Sequence, residues 1–123
     1  MSNTAATPSF EDLQKMIRTF CDERDWDQFH NPKDLAISMA LEAAEVMEHF
    51  QWKDAAEVAE YSVKHKEDIG EEVADVFYLV LLLANKLDID LVEAFQKKMA
   101  KNAAKYPVSK AKGSHKKYTE LVD

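Results

Sequence analysis

Glycine and proline are scarce in this 123-residue chain, at 2 and 3 residues. A sequence so poor in turn formers leaves little room for hairpins or long loops. With abundant Ala, Leu, Glu and Lys, the shortage predicts an all-α fold. There is one cysteine, Cys21, so no intrachain disulfide can form and a reducing compartment fits. Cys21 falls in a helical apolar pattern and reads as core, with a nucleophile as the remote alternative. No basic-then-apolar leader opens the chain. No apolar run approaches the roughly 20 residues needed to cross a bilayer. The expectation is a soluble, cytoplasmic protein without a membrane partner. Its length suits one domain with its own core.

Basic residues are also scarce over most of the chain. The formal net charge is -7, and residues 1–96 hold 21 acids against 8 bases. Residues 97–117 reverse this, with 8 lysines and no acid. An acidic body argues against binding a nucleic-acid polymer. An acidic centre loaded with cations, beside a lysine-rich stretch, suits a small polyanion such as a nucleotide. The plain alternative is a solvated helix face leading into a loose basic tail.

What the chain does have is acid in apolar surroundings. Glu42-Ala43-Ala44-Glu45 lies within Leu35–Trp52, where Leu35, Met39, Leu41, Val46, Met47 and Phe50 recur at helical spacing. Glu72-Val73-Ala74-Asp75 leads into the run 73–84, whose only charge is Asp75. The run predicts a buried helix that leaves Asp75 little route to water, at a cost unless a positive group neutralises it. Residues three apart share a helix face, so each quartet presents paired carboxylates. Two such helices packed together would converge four acids, which must repel, take up protons or bind a cation. Oxygen-only ligands favour Mg²⁺, Mn²⁺ or Ca²⁺. The bland reading of Glu at i and i+3 is a solvated face; the pairing of two quartets in apolar sequence outweighs it.

In chain order, residues 1–8 read as disordered. Ser9 and Asp12 predict a capping box for a helix to about Arg24, with Phe10, Leu13, Met16, Ile17, Phe20 and Cys21 inward. Trp26 to Pro32 is an aromatic connection, either tucked into the core or forming a wall for a planar ligand. A second helix runs from Lys33 or Asp34 to Phe50. His49, one turn after Glu45, could be a ligand, but a hard oxygen-ligated cation does not want imidazole, so it reads rather as a surface residue or a neighbour of the site. Residues 53–63 read as a short helix, and a third long helix covers about 64–87. Gly70 inside it marks a weak point or a close approach. Asp90 and Glu93 cap a fourth, to about Ala104. The helical domain thus spans 9–105, and 106–123 is a lysine-rich tail without periodicity.

Glu42xxGlu45, a gap of 26 residues (46–71) and Glu72xxAsp75 resemble the ExxE…ExxD signature of the MazG-like all-α nucleotide pyrophosphohydrolases. Glu23-Arg24-Asp25-Trp26, Gln28-Phe29-His30, Phe50-Gln51-Trp52, Asn102, Lys105-Tyr106-Pro107 and Lys117-Tyr118-Thr119-Glu120-Leu121 are similar to the dCTP pyrophosphatase branch. The resemblance implies a four-helix bundle core assembled as a homodimer or homotetramer. It implies Mg²⁺-dependent hydrolysis of (deoxy)nucleoside triphosphates to the monophosphate and pyrophosphate, a house-cleaning reaction, with Mn²⁺ as a substitute ion. Glu42, Glu45, Glu72 and Asp75 would hold the metal. Trp26, Gln28, Phe29, His30 and Trp52 would line the base and sugar pocket. Lys98, Asn102, Lys105 and Tyr106 would meet phosphate or sugar.

Two positions depart from that branch. Ile17 stands where it has a histidine that touches the base, and Leu79 where it has a tyrosine. Both departures are expected in the nucleoside pocket, with Tyr78 a partial substitute. For the reaction itself, water must attack the α phosphorus as pyrophosphate leaves, and the main demand is charge neutralisation. Glu45 is the candidate to position that water, with Glu42 the alternative. Two other readings compete. A di-iron bundle wants Glu-x-x-His pairs, which neither quartet supplies. A non-enzymatic, metal- or nucleotide-binding interaction module leaves Asp75 and the aromatic loop unexplained.

Overall fold

Each long helix starts where a side chain can satisfy its first free amides. In the computed structural model, which describes residues 6–122, Ser9 and Asp12 close a reciprocal box: Ser9 Oγ accepts from the Asp12 amide at 3.1 Å and Asp12 accepts from the Ser9 amide at 2.8 Å. Helix α1 (Phe10–Glu23) follows. A short 3₁₀ turn (Asp27–Phe29) leads to α2 (Pro32–Glu48), capped by Asn31. The sequence reading started α2 one or two residues late, because proline breaks helix interiors but suits the first helical position, where no amide is needed. It also ended α2 late: residues 49–52 form a tight turn that closes at Trp52.

Asp54 and Glu57 form a second capping box for α3 (Ala55–Lys64). Only His65 separates α3 from α4 (Lys66–Lys86). Asp90 accepts from the Glu93 amide at 3.0 Å to start α5 (Leu91–Lys105). Beyond it, the stretch that showed no periodicity contains a one-turn helix, α6 (Val108–Ala111), and a 3₁₀ turn at Tyr118–Glu120. No strand occurs among the described residues, so the fold is all-α. No helix among them is long and apolar enough to cross a membrane. Of the N-terminal stretch read as disordered, residues 1–5 lie outside the described residues.

The chain divides into two compact units, 1–88 and 89–123. In the first, α1, α2 and α3 all lie against α4. Its core is Ile17 and Cys21 from α1, Leu35 from α2, and Leu79, Leu81, Leu82 and Ala84 from α4. Asn85 ties α4 to α1, accepting from Gln14 and Arg18 at 3.3 Å each. Gly70 marks no close approach: a Cβ there would meet nothing within 4 Å. In the second unit, Tyr118 packs edge-to-face on Tyr106 at 6.1 Å, and Lys105 Nζ lies 4.8 Å from the Tyr118 ring centre.

Candidate active site

The contact between α2 and α4 brings the two quartets together. Carboxylate oxygens of Glu42, Glu45 and Glu72 lie within 4.8 Å of one another, with Glu42 and Glu72 half-buried and Glu45 exposed. Counted as ionised, Glu42 Oε2 and Glu72 Oε2 are buried and have no hydrogen-bond partner. Either a proton or a cation must stand between such groups. A hydrogen bond shared with Glu45, then burial and the charges of Glu45, Asp75 and Glu42, push Glu72 up to about 7. Burial, and then the same sharing with Glu45, also raises Glu42. Crowded carboxylates of this kind favour protonation until a cation takes the proton's place. An all-oxygen donor set with two orphaned atoms fits a hard divalent cation.

Asp75 is placed differently from the sequence expectation. It is exposed, and it stands outside the three-glutamate cluster while remaining near enough for its charge to act on Glu42 and Glu72. The buried side of α4 lies further along, at Leu79–Ala84. At Asp75 the helix instead borders an open cleft of about 490 Å³ lined by Met16, Ile17, Phe20, Trp26, Ala74, Asp75 and Tyr78. Met16 and Phe20, expected in the core, are exposed here because α1 carries two apolar stripes. The Ile17–Cys21 stripe meets α4, while Met16 and Phe20 face the cleft. Ile17 lies at both.

Tyr78, not Leu79, lines this cleft; Leu79 is buried in the core. The expectation that Leu79 falls in the pocket is therefore corrected: it points about 100° away around the helix from Tyr78. Burial, then a contact with Cys21 Sγ at 3.8 Å, pushes the Tyr78 hydroxyl up to about 12, so it stays a neutral donor. Trp26 stacks its edge on Phe20, with ring centres 5.5 Å apart. The core-tucking alternative for the aromatic loop fails: Trp26 is partly exposed and Phe29 is 67% exposed. Gln28 turns back to Asp25, donating to its carboxylate at 2.9 Å and its carbonyl at 3.0 Å. His30 lies in a separate polar cleft of about 380 Å³ with Arg18, Asp27 and Lys86.

Trp52 is 91% exposed and sits at φ 68°. A bulky residue in the left-handed region is strained, by about 1–3 kcal/mol, and the indole stands out in solvent. Lys98, Asn102, Lys105 and Tyr106 all belong to the second unit. Asn102 is half-buried, with its Nδ2 3.9 Å from Met99 Sδ, and Lys98 is exposed.

Sequence spacing alone assigns no role to Glu48 or Tyr61. On the other flank of the cluster, Glu45, Glu48, His49, Tyr61 and Glu72 line a cleft of about 410 Å³. His49 Nδ1 lies 2.7 Å from the Tyr61 hydroxyl. The available signal was the i, i+4 spacing of Glu45 and His49, with a helix start at Asp54 to bring Tyr61 back.

Comparison with known proteins agrees with this geometry. The MazG-like family model matches residues 37–121. The chain is 39% identical over 116 residues to dCTP pyrophosphatase 1 of Rattus norvegicus, covering 93% of this chain and 68% of that protein. It is 37% identical, with the same coverage, to dCTP pyrophosphatase 1 of Homo sapiens. The crystal structure of a pyrophosphatase from Archaeoglobus fulgidus superposes with a TM-score of 0.77 at 37% identity, covering 86% of this chain and 99% of that one. A cluster of glutamates across two packed helices, an aromatic cleft beside it, and a match over most of the sequence place the chain in the MazG-like family, on its dCTP pyrophosphatase branch.

Proposed function

We propose that this protein is a Mg²⁺-dependent nucleoside triphosphate pyrophosphohydrolase, cutting (deoxy)nucleoside triphosphates of the pyrimidine series to the monophosphate and pyrophosphate. The observation that carries the reading is the convergence of Glu42, Glu45 and Glu72, two of them with orphaned buried oxygens. The named pyrophosphatases it resembles support the reaction class.

Glu42, Glu45 and Glu72, with Asp75 at their edge, would hold the ion. When bound, Mg²⁺ neutralises phosphate charge and lowers the pKa of coordinated water. Glu45 is the exposed member of the cluster, so it can reach a water that the half-buried pair cannot; its carboxylate would accept that water's proton. The apolar cleft bordered by Asp75 offers Trp26 and Tyr78 to the base, and stacking on such faces is tolerant of base identity. Trp52 would add a second aromatic face, and Gln28, Phe29 and His30 remain proposed contacts. Lys98, Asn102, Lys105 and Tyr106 are proposed, on the family resemblance alone, to meet phosphate or sugar. Ile37, Leu41 and Met47 leave apolar surface of α2 exposed in the single chain, which supports assembly as a homo-oligomer.

The test is a panel of deoxynucleoside triphosphates, including 5-substituted dCTP and dUTP, with Mg²⁺, assaying pyrophosphate separately from phosphate. Equimolar pyrophosphate and monophosphate are expected. Orthophosphate would mean a different bond is cut, and no turnover would return the case to a binding module. Trp52→Ala should raise KM; an unchanged KM removes Trp52 from the pocket.

A further inference from the structure

The acidic cluster has two flanks, and only one is apolar. The cleft with Met16, Phe20 and Trp26 is suited to a base. The opposite cleft is lined by Glu45, Glu48 and Glu72 together with His49 and Tyr61. Three of these five side chains are carboxylates, which when ionised can only accept hydrogen bonds. A polyphosphate is likewise a row of acceptors, so among the side chains lining this cleft only His49 and Tyr61 can donate to it directly.

The Tyr61 ring is clamped from several sides. His65 stacks on it at 4.2 Å with 23° between planes, Lys53 Nζ lies 4.3 Å from its centre, and Phe50 meets it edge-on at 6.5 Å. Its hydroxyl is therefore fixed, and it lies 2.7 Å from His49 Nδ1. Two tautomers satisfy that bond. If Nδ1–H donated to Tyr61, the bare lone pair of Nε2 would share a cleft with three carboxylates. If Tyr61 donates to Nδ1, Nε2 carries a proton and becomes a donor among acceptors. The surrounding acids favour the second arrangement electrostatically, and the tautomer follows from the bond made at the other nitrogen.

Resting on the pyrophosphohydrolase reading above, we infer that His49 is a substrate-binding residue for the β,γ end of the triphosphate. It donates from Nε2 to a non-bridging oxygen, and Tyr61 is the positioning residue that sets its tautomer and ring orientation. A hydrogen bond to a charged acceptor is worth about 10- to 100-fold in affinity.

The experiment compares wild type, His49→Leu, His49→Gln and Tyr61→Phe by isothermal titration with α,β-imido-dCTP, with dCMP, and with Mg²⁺ alone. His49→Leu should weaken the imido-triphosphate by about 10-fold or more, and leave dCMP and Mg²⁺ binding unchanged. His49→Gln, whose amide nitrogen reaches the place of Nε2, should recover part of the loss. Tyr61→Phe should fall between wild type and His49→Leu. Unchanged imido-triphosphate binding in His49→Leu overturns the inference while leaving the reaction class standing. Equal losses for all three ligands also overturn it, reducing His49 to a support of the cluster. Wild type that binds neither nucleotide overturns this inference together with the pyrophosphohydrolase reading.

Discussion

From Leu79 to Ala84, helix α4 is covered, with Leu81 only 1% exposed. From Gly70 to Asp75 the same helix is open: Gly70, Glu71, Val73, Ala74 and Asp75 are exposed and only Glu72 is half-buried. One half supplies four of the seven buried apolar residues of the described core. The other half holds a carboxylate in conflict with its neighbours. Unsatisfied charge of this kind persists only when the surrounding structure over-determines it. Here the over-determination comes from the same helix, two turns on, so the site is carried on a rigid element whose anchor is elsewhere. Stability and chemistry should therefore separate cleanly along α4.

The sharpest break of that comparison removes chemistry alone. Glu45→Gln should lower kcat on the order of 100-fold or more while the helical circular dichroism signal is retained, because Glu45 is exposed and lies outside the apolar core. Substantial activity in Glu45→Gln would remove it from the reaction. The converse break removes the anchor. Leu81→Ala should cost about 2–5 kcal/mol, seen as a lower urea midpoint, with kcat near wild type in whatever fraction remains folded at low urea. A loss of kcat as large as that of Glu45→Gln would show that the two halves are not separable.

How much of this was readable beforehand follows the same division. The capping residues Ser9 and Asp12, and Asp90, were legible because caps are local and their partners lie three residues away. The convergence of Glu42, Glu45 and Glu72 was legible because two periodic helices with acids on one face can pack in few ways. Asp75 was misjudged because an apolar run says that a helix is covered without saying which turn. Met16 and Phe20 were assigned to the core for a related reason. Six apolar positions on α1 make a band wider than one neighbouring helix can cover, and periodicity cannot tell the covered edge from the one beside a cleft. The His49–Tyr61 bond joins residues twelve apart across a turn, which no helical spacing announces.

Smaller effects test the electrostatics of the acid half. Glu72 is raised from 4.5 to about 7, so the folded state keeps its proton over a range where the unfolded chain has released it. Its contribution to stability is full below pH 4.5 and is lost as pH rises through about 7. Metal-free protein should therefore melt at falling temperatures across that window, and Glu72→Gln should flatten the slope. Excess Mg²⁺ should flatten it too, by replacing the shared proton. A slope identical in wild type and Glu72→Gln would assign the pH dependence to other groups.

The smallest effect concerns the turn just before the acids. Gly70 has open space where a Cβ would stand and no left-handed φ, so alanine fits without strain. Helical glycine costs about 0.5–1 kcal/mol relative to alanine, through the freedom it keeps in the unfolded chain. Gly70→Ala should recover that amount in chemical denaturation and leave kcat unchanged, since no atom of the site must move. The measurement also separates the isolated chain from an assembly. In the single chain the turn is bare, and stabilisation follows. If a second copy packs its helices against this turn in solution, the methyl group meets that neighbour, and Gly70→Ala becomes destabilising in a way that grows with protein concentration.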